Sequence, residues 1–414
     1  MNILLISLTV PVPPTNGHKM RTWSLIRALT ALGHKTTVLC FASPREATDD
    51  LSDLYRLCES VELIPLEVES LSSSGILHRF YRVFQPLPYG VLRFCSEQMR
   101  QRIAHHVDSN RPDLVVAETA YSAINIPNTS VPVAIDHHNI ESLILKRYCS
   151  VETRLFRRLY AGLEYAKMLA WDKKVCRSAD LQFACSSIDR DQVLALCGPA
   201  NCSVVPNTVE LDEYSPTPLV QVPTLVYVGG LDWLPNRDAI EFFIQEIFPS
   251  ICKEVESVRL IVAGRNPPAD FERRMRRAKG VELVANAKDI RDVLSRAAVC
   301  VVPLRIGSGT RLKILEAAAM GKAVVSTSLG AEGLLLSPGN EILIADQPEP
   351  FGRCVIELLN DCARRAAMGL SARRKLEESY SFSVLTQSLA SGLSDLSRHH
   401  SQEQMGFVPA RTLP

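Results

Sequence analysis

The stretch Val301-Val302-Pro303-Leu304-Arg305-Ile306-Gly307-Ser308-Gly309-Thr310-Arg311-Leu312-Lys313-Ile314-Leu315-Glu316-Ala317 decides how this chain is read. Val299 to Val302 is a short apolar run of the kind a parallel strand needs, buried on both faces. Gly307 and Gly309 allow a tight turn and a close backbone approach to a ligand. From Thr310 the apolar spacing is helical, and Gly321 stands where a helix stops. A glycine turn opening a helix offers free N–H groups at the positive end of the helix dipole. That is an anion site, suited to phosphate. Arg305, Arg311 and Lys313 add positive charge around it. Glu316 lies one turn beyond Lys313, placed to accept hydrogen bonds from sugar hydroxyls. Charge for a diphosphate beside a carboxylate for a ribose points to a nucleotide-sugar pocket. The plainer alternative is an ordinary strand–helix turn with solvated basic residues.

The same alternation continues on both sides of this stretch. Apolar runs predict strands at 2–8, 35–41, 61–66, 113–118, 131–135, 180–185 and 202–205. A second set is predicted at 224–229, 258–263, 281–284, 299–302, 322–326 and 341–345, with helices between. Strand–helix–strand order implies parallel sheets with right-handed crossovers. The expected fold is therefore α/β, with two Rossmann-like, doubly wound domains facing a cleft at the carboxyl ends of their strands. The 414 residues suit two domains, and a hydrophobic share of 46% is ample for two cores. The expected boundaries are 1–205 and 206–382, with linker character over 206–223. Residues 398–414 lack a hydrophobic period and read as a loose tail.

Net charge is +1, so nothing marks a polyanion binder and nucleic acid is not an expected partner. The 12 cysteines form no CxxC pair. Scattered cysteines in a large chain fit a reducing cytoplasm. No run of 18 apolar residues occurs, so no membrane span is expected. Asn2 to Leu8 reads as a first strand rather than a signal peptide core, because no basic n-region precedes it.

The segment 303–333, including Gly330-Ala331-Glu332-Gly333-Leu334, resembles the donor site of family 4 glycosyltransferases. Val204-Val205-Pro206-Asn207-Thr208-Val209-Glu210 resembles the family's interdomain segment, usually Val-Pro-Asn-Gly-Val-Asp. The resemblance spans residues 1 to about 395. It implies the GT-B architecture, with a last helix at about 383–397 crossing back to the N-terminal domain. It implies a retaining transferase that moves a sugar from a nucleotide-diphosphate donor to an acceptor hydroxyl of a glycan or lipid, in cell-surface glycan synthesis. In such an enzyme the departing phosphate itself accepts the acceptor's proton. The alternatives are a nucleotide-sugar 2-epimerase of the same architecture and an inactive transferase-like subunit.

Carried over by position, the resemblance places Gly17 of the Asn16-Gly17 turn near the donor phosphate and the acceptor. Asn16 tolerates the positive φ that such a turn can require. It places Gly229, Gly230, Arg305, Gly307, Ser308, Gly309, Thr310 and Glu316 around the donor, with Asn286 at the base. Lys313 and Arg311 act on the leaving diphosphate. A histidine after the 131–135 strand meets the reacting sugar; His138 is the assignment and His137 the alternative. Asp136 or Asn139 can also cap the helix that follows. Asp136, His137 and His138 are not expected to hold a metal, since no distant third ligand is evident. No cofactor is expected.

Two departures stand out. The family's E-x7-E pattern keeps its second glutamate as Glu316, but the first falls at Ser308. The family's Arg and Lys after the first strand of the second domain are missing from Val228-Gly229-Gly230-Leu231-Asp232-Trp233-Leu234-Pro235-Asn236. Arg305, Arg311 and Lys313 are the substitutes to consider.

Residues 71–177 hold fifteen Lys or Arg against nine Asp or Glu, interleaved with Phe80, Tyr81, Phe84, Phe94, Phe156, Tyr160 and Trp171. Such a face suits an anionic membrane surface, placing a cytoplasmic protein on its inner side. A solvated helix face over an ordinary core is the alternative.

Overall fold

The computed structural model describes residues 1–44, 46–66 and 83–403. Its described residues form two parallel sheets. The first holds β1 (Asn2–Ser7), β2 (Lys35–Ala42), β3 (Ser60–Pro65), β4 (Leu114–Glu118), β5 (Val133–His137), β6 (Leu181–Ala184) and β7 (Cys202–Val204). Their order is β3-β2-β1-β4-β5-β6-β7. The second holds β8 (Thr224–Val228), β9 (Arg259–Gly264), β10 (Val281–Ala285), β11 (Val299–Val302), β12 (Ala323–Ser326) and β13 (Leu343–Ile344), ordered β10-β9-β8-β11-β12-β13. In both sheets the order reverses beside the first strand, between β1 and β4 and between β8 and β11. That reversal is the switch point where α/β sheets bind ligands.

The strands form where apolar runs are continuous, because helices cover both faces. Ile3 to Ile6, Val115 to Ala117 and Val299 to Val302 are almost wholly buried. The first core gathers Leu4, Ile6, Phe41, Val115, Ile135 and Trp171.

The chain divides into two compact units, Met1–Pro206 with the residues from Leu385 on, and Asn207–Val384. The last helix, Phe382–Glu403, continues past residue 398 into the stretch read as a loose tail. The rest of that tail lies outside the described residues, as do Phe80 and Tyr81. Among the described residues no helix is long and apolar enough to cross a membrane.

Candidate functional site

In the second unit the decisive stretch folds as a strand, a turn and a helix. β11 ends at Val302, and the helix runs from Leu312 to Ala319. It starts later than its apolar spacing suggests, because Arg311 is extended, with φ −98° and ψ 97°. Gly307 and Gly309 take φ 148° and 72°, a region that side chains rarely enter. Gly321, at φ 67°, stops the helix, and the N–H of Lys322 returns to Ala317 O at 3.0 Å.

The basic residues of this turn have different fates. Arg311 is buried and folded across the turn, donating to the carbonyls of Ser308 and Gly309 and, at 3.4 Å, of Leu329. It braces the loop from within. Arg305 grips Asp238 with two hydrogen bonds, 3.1 and 2.7 Å, and lies 4.3 Å from the Phe242 ring centroid. Among the described residues the hydrogen bonds of Lys313 go to neutral partners, Tyr227 Oη at 2.8 Å and Asn236 Oδ1 at 2.7 Å. Burial, and next the charge of Arg311, push its pKa down to about 7. Glu316 accepts from Tyr214 Oη at 2.8 Å; burial raises its pKa against that bond and against Lys313.

The ends of neighbouring strands complete this region. A Cβ on Gly229 would stand 2.7 Å from Lys313 Nζ and 2.9 Å from Asn236 Nδ2, so glycine leaves the ammonium its place. Gly230 lies beside Arg265, whose Nε would be 3.8 Å from a Cβ there. Arg265 follows the carboxyl end of β9 and was not singled out by the sequence; a cation just past a parallel strand is the signal that could have found it. Asn286 follows β10 at φ 54°, and its Oδ1 takes the N–H of Asn266 at 2.9 Å. Thr310 is fixed by Asn207 Nδ2 at 2.6 Å, which ties the Val-Pro-Asn segment to the turn.

In the first unit the predicted residues land in a buried polar cluster. Asn16 is extended, at φ −153°, and caps the first helix through Lys19 N. The positive φ anticipated there is absent, since capping uses the β region. Gly17 is the first residue of that helix. The helix Glu141–Val151 is preceded by Ile140, which makes no side-chain cap, and Asn139 Nδ2 donates to Glu141 Oε1 at 3.3 Å. Asp136 instead holds Arg21 through bonds of 3.1 and 2.6 Å. His137 turns into the core, against Gln182 Oε1 at 2.9 Å. His138 Nε2 meets Asp136 Oδ2 at 3.0 Å, and its Nδ1 faces His18 Nδ1 at 3.0 Å.

Glu118 and His18 were missed. Glu118 ends β4, and the next residue, Thr119, is held at φ 66°, a strained conformation for a β-branched side chain. Glu118 lies 3.2 Å from His18 Nε2 and 3.4 Å from His138 Nε2, and accepts from Ser7 Oγ. Burial opposes protonating His18, but Glu118 outweighs it and the pKa rises. Burial and then His18 lower that of His138. Among the described residues, His18, Glu118 and His138 are the set able to offer one metal-ligand atom each within 4.8 Å of one another. Two residues distant in sequence thus stand close enough to His138 to share an ion with it.

Comparison with known proteins gives the family and the fold. The family model described as Glycosyltransferase Family 4 matches residues 15–213, and that described as Glycosyl transferases group 1 matches 222–361. The chain belongs to the family 4 glycosyltransferases. It is thus an enzyme of the glycosyl-transferring class. An uncharacterized 44.6 kDa protein in the cps region of Klebsiella pneumoniae is 20% identical over 392 residues, 91% of this chain and 96% of that one. Two solved GT-B structures share the fold. Sucrose-phosphate synthase from Thermosynechococcus elongatus has a TM-score of 0.73 at 15% identity, covering 96% of this chain and 100% of that one. HepE from Anabaena, solved with UDP and glucose, has a TM-score of 0.64 at 16% identity, covering 95% and 99%.

Proposed function

We propose that this transferase moves a sugar from a nucleotide-diphosphate sugar to an acceptor hydroxyl, with retention at the anomeric carbon. The observation that carries the reading is Lys313. A half-buried ammonium whose hydrogen bonds go to a phenol and an amide, beside a glycine turn and one helical turn before a carboxylate, is completed by an anionic ligand that also carries hydroxyls. The diphosphate takes Lys313 and Arg265, at the glycine turn before the helix Leu312–Ala319. Arg311 holds the turn in shape, and Glu316 receives the ribose hydroxyls. The base lies against Asn286.

The bond that breaks joins the sugar to phosphate. Stabilising the departing diphosphate is therefore the main catalytic task, and fixed cations and N–H groups perform it without a metal on the donor side. The departing phosphate takes the acceptor's proton. His138, in the first unit, meets the reacting sugar. The UDP and glucose bound to HepE support a nucleotide-sugar donor. A role in polysaccharide, glycolipid or other cell-surface glycan assembly, with the acceptor at the inner face of a membrane, is part of this proposal; the relative in a cps region is consistent with the first part.

A thermal-shift panel of UDP, GDP and ADP sugars tests the donor pocket. Stabilisation by one nucleotide series, lost in Lys313→Ala, is the expected result. Product analysis separates transfer from epimerisation, and the anomeric configuration of the product tests retention. No stabilisation by any nucleotide would remove the donor assignment.

A further inference from the structure

The first unit carries a helical hairpin whose end stands in solvent. Its arms are α1 (Glu141–Val151) and α2 (Leu155–Ser178). Burial in α2 begins only at Ala161, and every residue from Thr153 to Tyr160 is exposed. Several of these are side chains that a core would normally take. Leu155, Phe156 and Leu159 are 64%, 85% and 62% exposed. Tyr160 and Leu163 follow at 41% and 36%.

At about 100° per residue, Leu155, Leu159 and Leu163 fall along one line of the helix, with Phe156 and Tyr160 beside it. The face that packs on the body carries Ala161, Glu164, Met168 and Trp171. The helix therefore presents a second apolar face, turned away from the core, over its first turns. Arg154, Arg157 and Arg158 lie on the other arc of the same exposed turns, and Glu152 precedes them in the hairpin bend. Single exposed hydrophobics are ordinary; a contiguous apolar arc with a basic arc behind it marks an interaction surface.

We infer that this hairpin end docks on an anionic lipid bilayer. Leucine and phenylalanine enter the boundary between headgroups and acyl chains, and tyrosine sits at its edge. The arginines meet lipid phosphates, which their planar forks fit in pairs of hydrogen bonds. A second copy of the chain is a poorer occupant. A two-fold contact at this hairpin end would bring two arginine-rich arcs close together, like charge to like. The inference gives a place to the membrane-borne acceptor proposed above and rests on that reading for its purpose. Its test does not depend on turnover.

The full chain is sedimented with phosphatidylcholine vesicles and with vesicles that also contain phosphatidylglycerol. It is expected to pellet with the second kind only, and to be released by salt. Phe156→Ser with Leu159→Ser, and separately Arg157→Gln with Arg158→Gln, should each lose at least about tenfold in vesicle affinity. Melting temperature and UDP affinity should stay at the wild-type values. Wild type that fails to pellet, or variants that pellet equally, would overturn the inference. So would a dimer in sedimentation velocity that Phe156→Ser makes monomeric, because the face would then belong to a second copy. Failure to bind any nucleotide would count against the donor reading alone.

Discussion

Two polar regions in this chain look alike in sequence and differ in what they have done with their charges. In the first unit Arg21, Asp136, His138, His18 and Glu118 answer one another in a buried chain of short contacts. In the second unit Lys313 is half-buried and is met by a phenol and an amide. A region that has neutralised itself can hold its shape without a ligand. One that keeps a half-neutralised ammonium gains most when an anion arrives. That difference is the ground on which we propose the donor site in the second unit, and it can be broken from either side.

The largest expected effect lies in the self-neutralised region. Asp136→Ala leaves Arg21 buried without its carboxylate, which costs about 3–5 kcal/mol of stability. Urea unfolding should show the first unit lost at lower denaturant, and an unchanged profile would mean that the pair carries no structural weight. The corresponding change across the comparison is Lys313→Ala. It should leave melting unchanged or slightly raised, and weaken UDP or GDP binding by about 1.5–3 kcal/mol, the worth of a charged hydrogen bond. Glu316→Ala should weaken nucleoside and sugar-nucleotide binding alike, because the ribose is common to both. Equal nucleotide affinity in wild type and both variants would remove the donor pocket from this turn.

How much of this was legible beforehand follows the physics of each feature. All thirteen strands were visible, because buried parallel strands are continuous apolar runs in sequence. The glycine turn was visible because positive φ selects glycine. The partners were not. That Arg305 belongs to Asp238 and Arg311 to its own loop carbonyls depends on side-chain paths that spacing does not encode. Glu118 and His18 are 100 residues apart and meet only because β1 and β4 pair. A single glutamate at a strand end carries no signal until the strand order is known.

His138 tests whether the first region also acts in chemistry. His138→Ala should lower turnover at least about tenfold, or 1.4 kcal/mol of barrier, while UDP affinity holds. His137→Ala should act on folding instead, since its ring is bonded to Gln182 in the core. Turnover lost in His137→Ala and kept in His138→Ala would reverse the two assignments.

The pKa of Lys313, held near 7 by burial and by Arg311, predicts a pH dependence of binding. A bound diphosphate favours the ammonium and raises that pKa. Binding then takes up a proton above pH 7, and affinity falls as pH rises, by up to roughly tenfold per unit. Titration calorimetry at pH 7 and pH 8.5, in buffers of different ionisation heat, reads both the affinity and the proton. A flat profile would mean that Lys313 keeps its charge without ligand, and the contrast between the two regions would narrow.

The smallest expected effect is that of EDTA. On the donor side Lys313, Arg265 and the N–H groups of the turn supply positive charge that needs no metal, so UDP affinity should be unchanged by chelation. On the other side, His18, Glu118 and His138 have ligand atoms close enough to share an ion. They also have a sufficient explanation without one. Asp136 takes the Nε2 proton of His138, whose Nδ1 is then free to accept from His18, and Glu118 holds the resulting imidazolium. A proton does the work that a metal would otherwise do. Turnover should therefore survive EDTA as well. If it is lost and returns with Zn²⁺ or Mn²⁺ while UDP affinity never moves, the ion belongs to these three residues, and the first region is not self-neutralised after all.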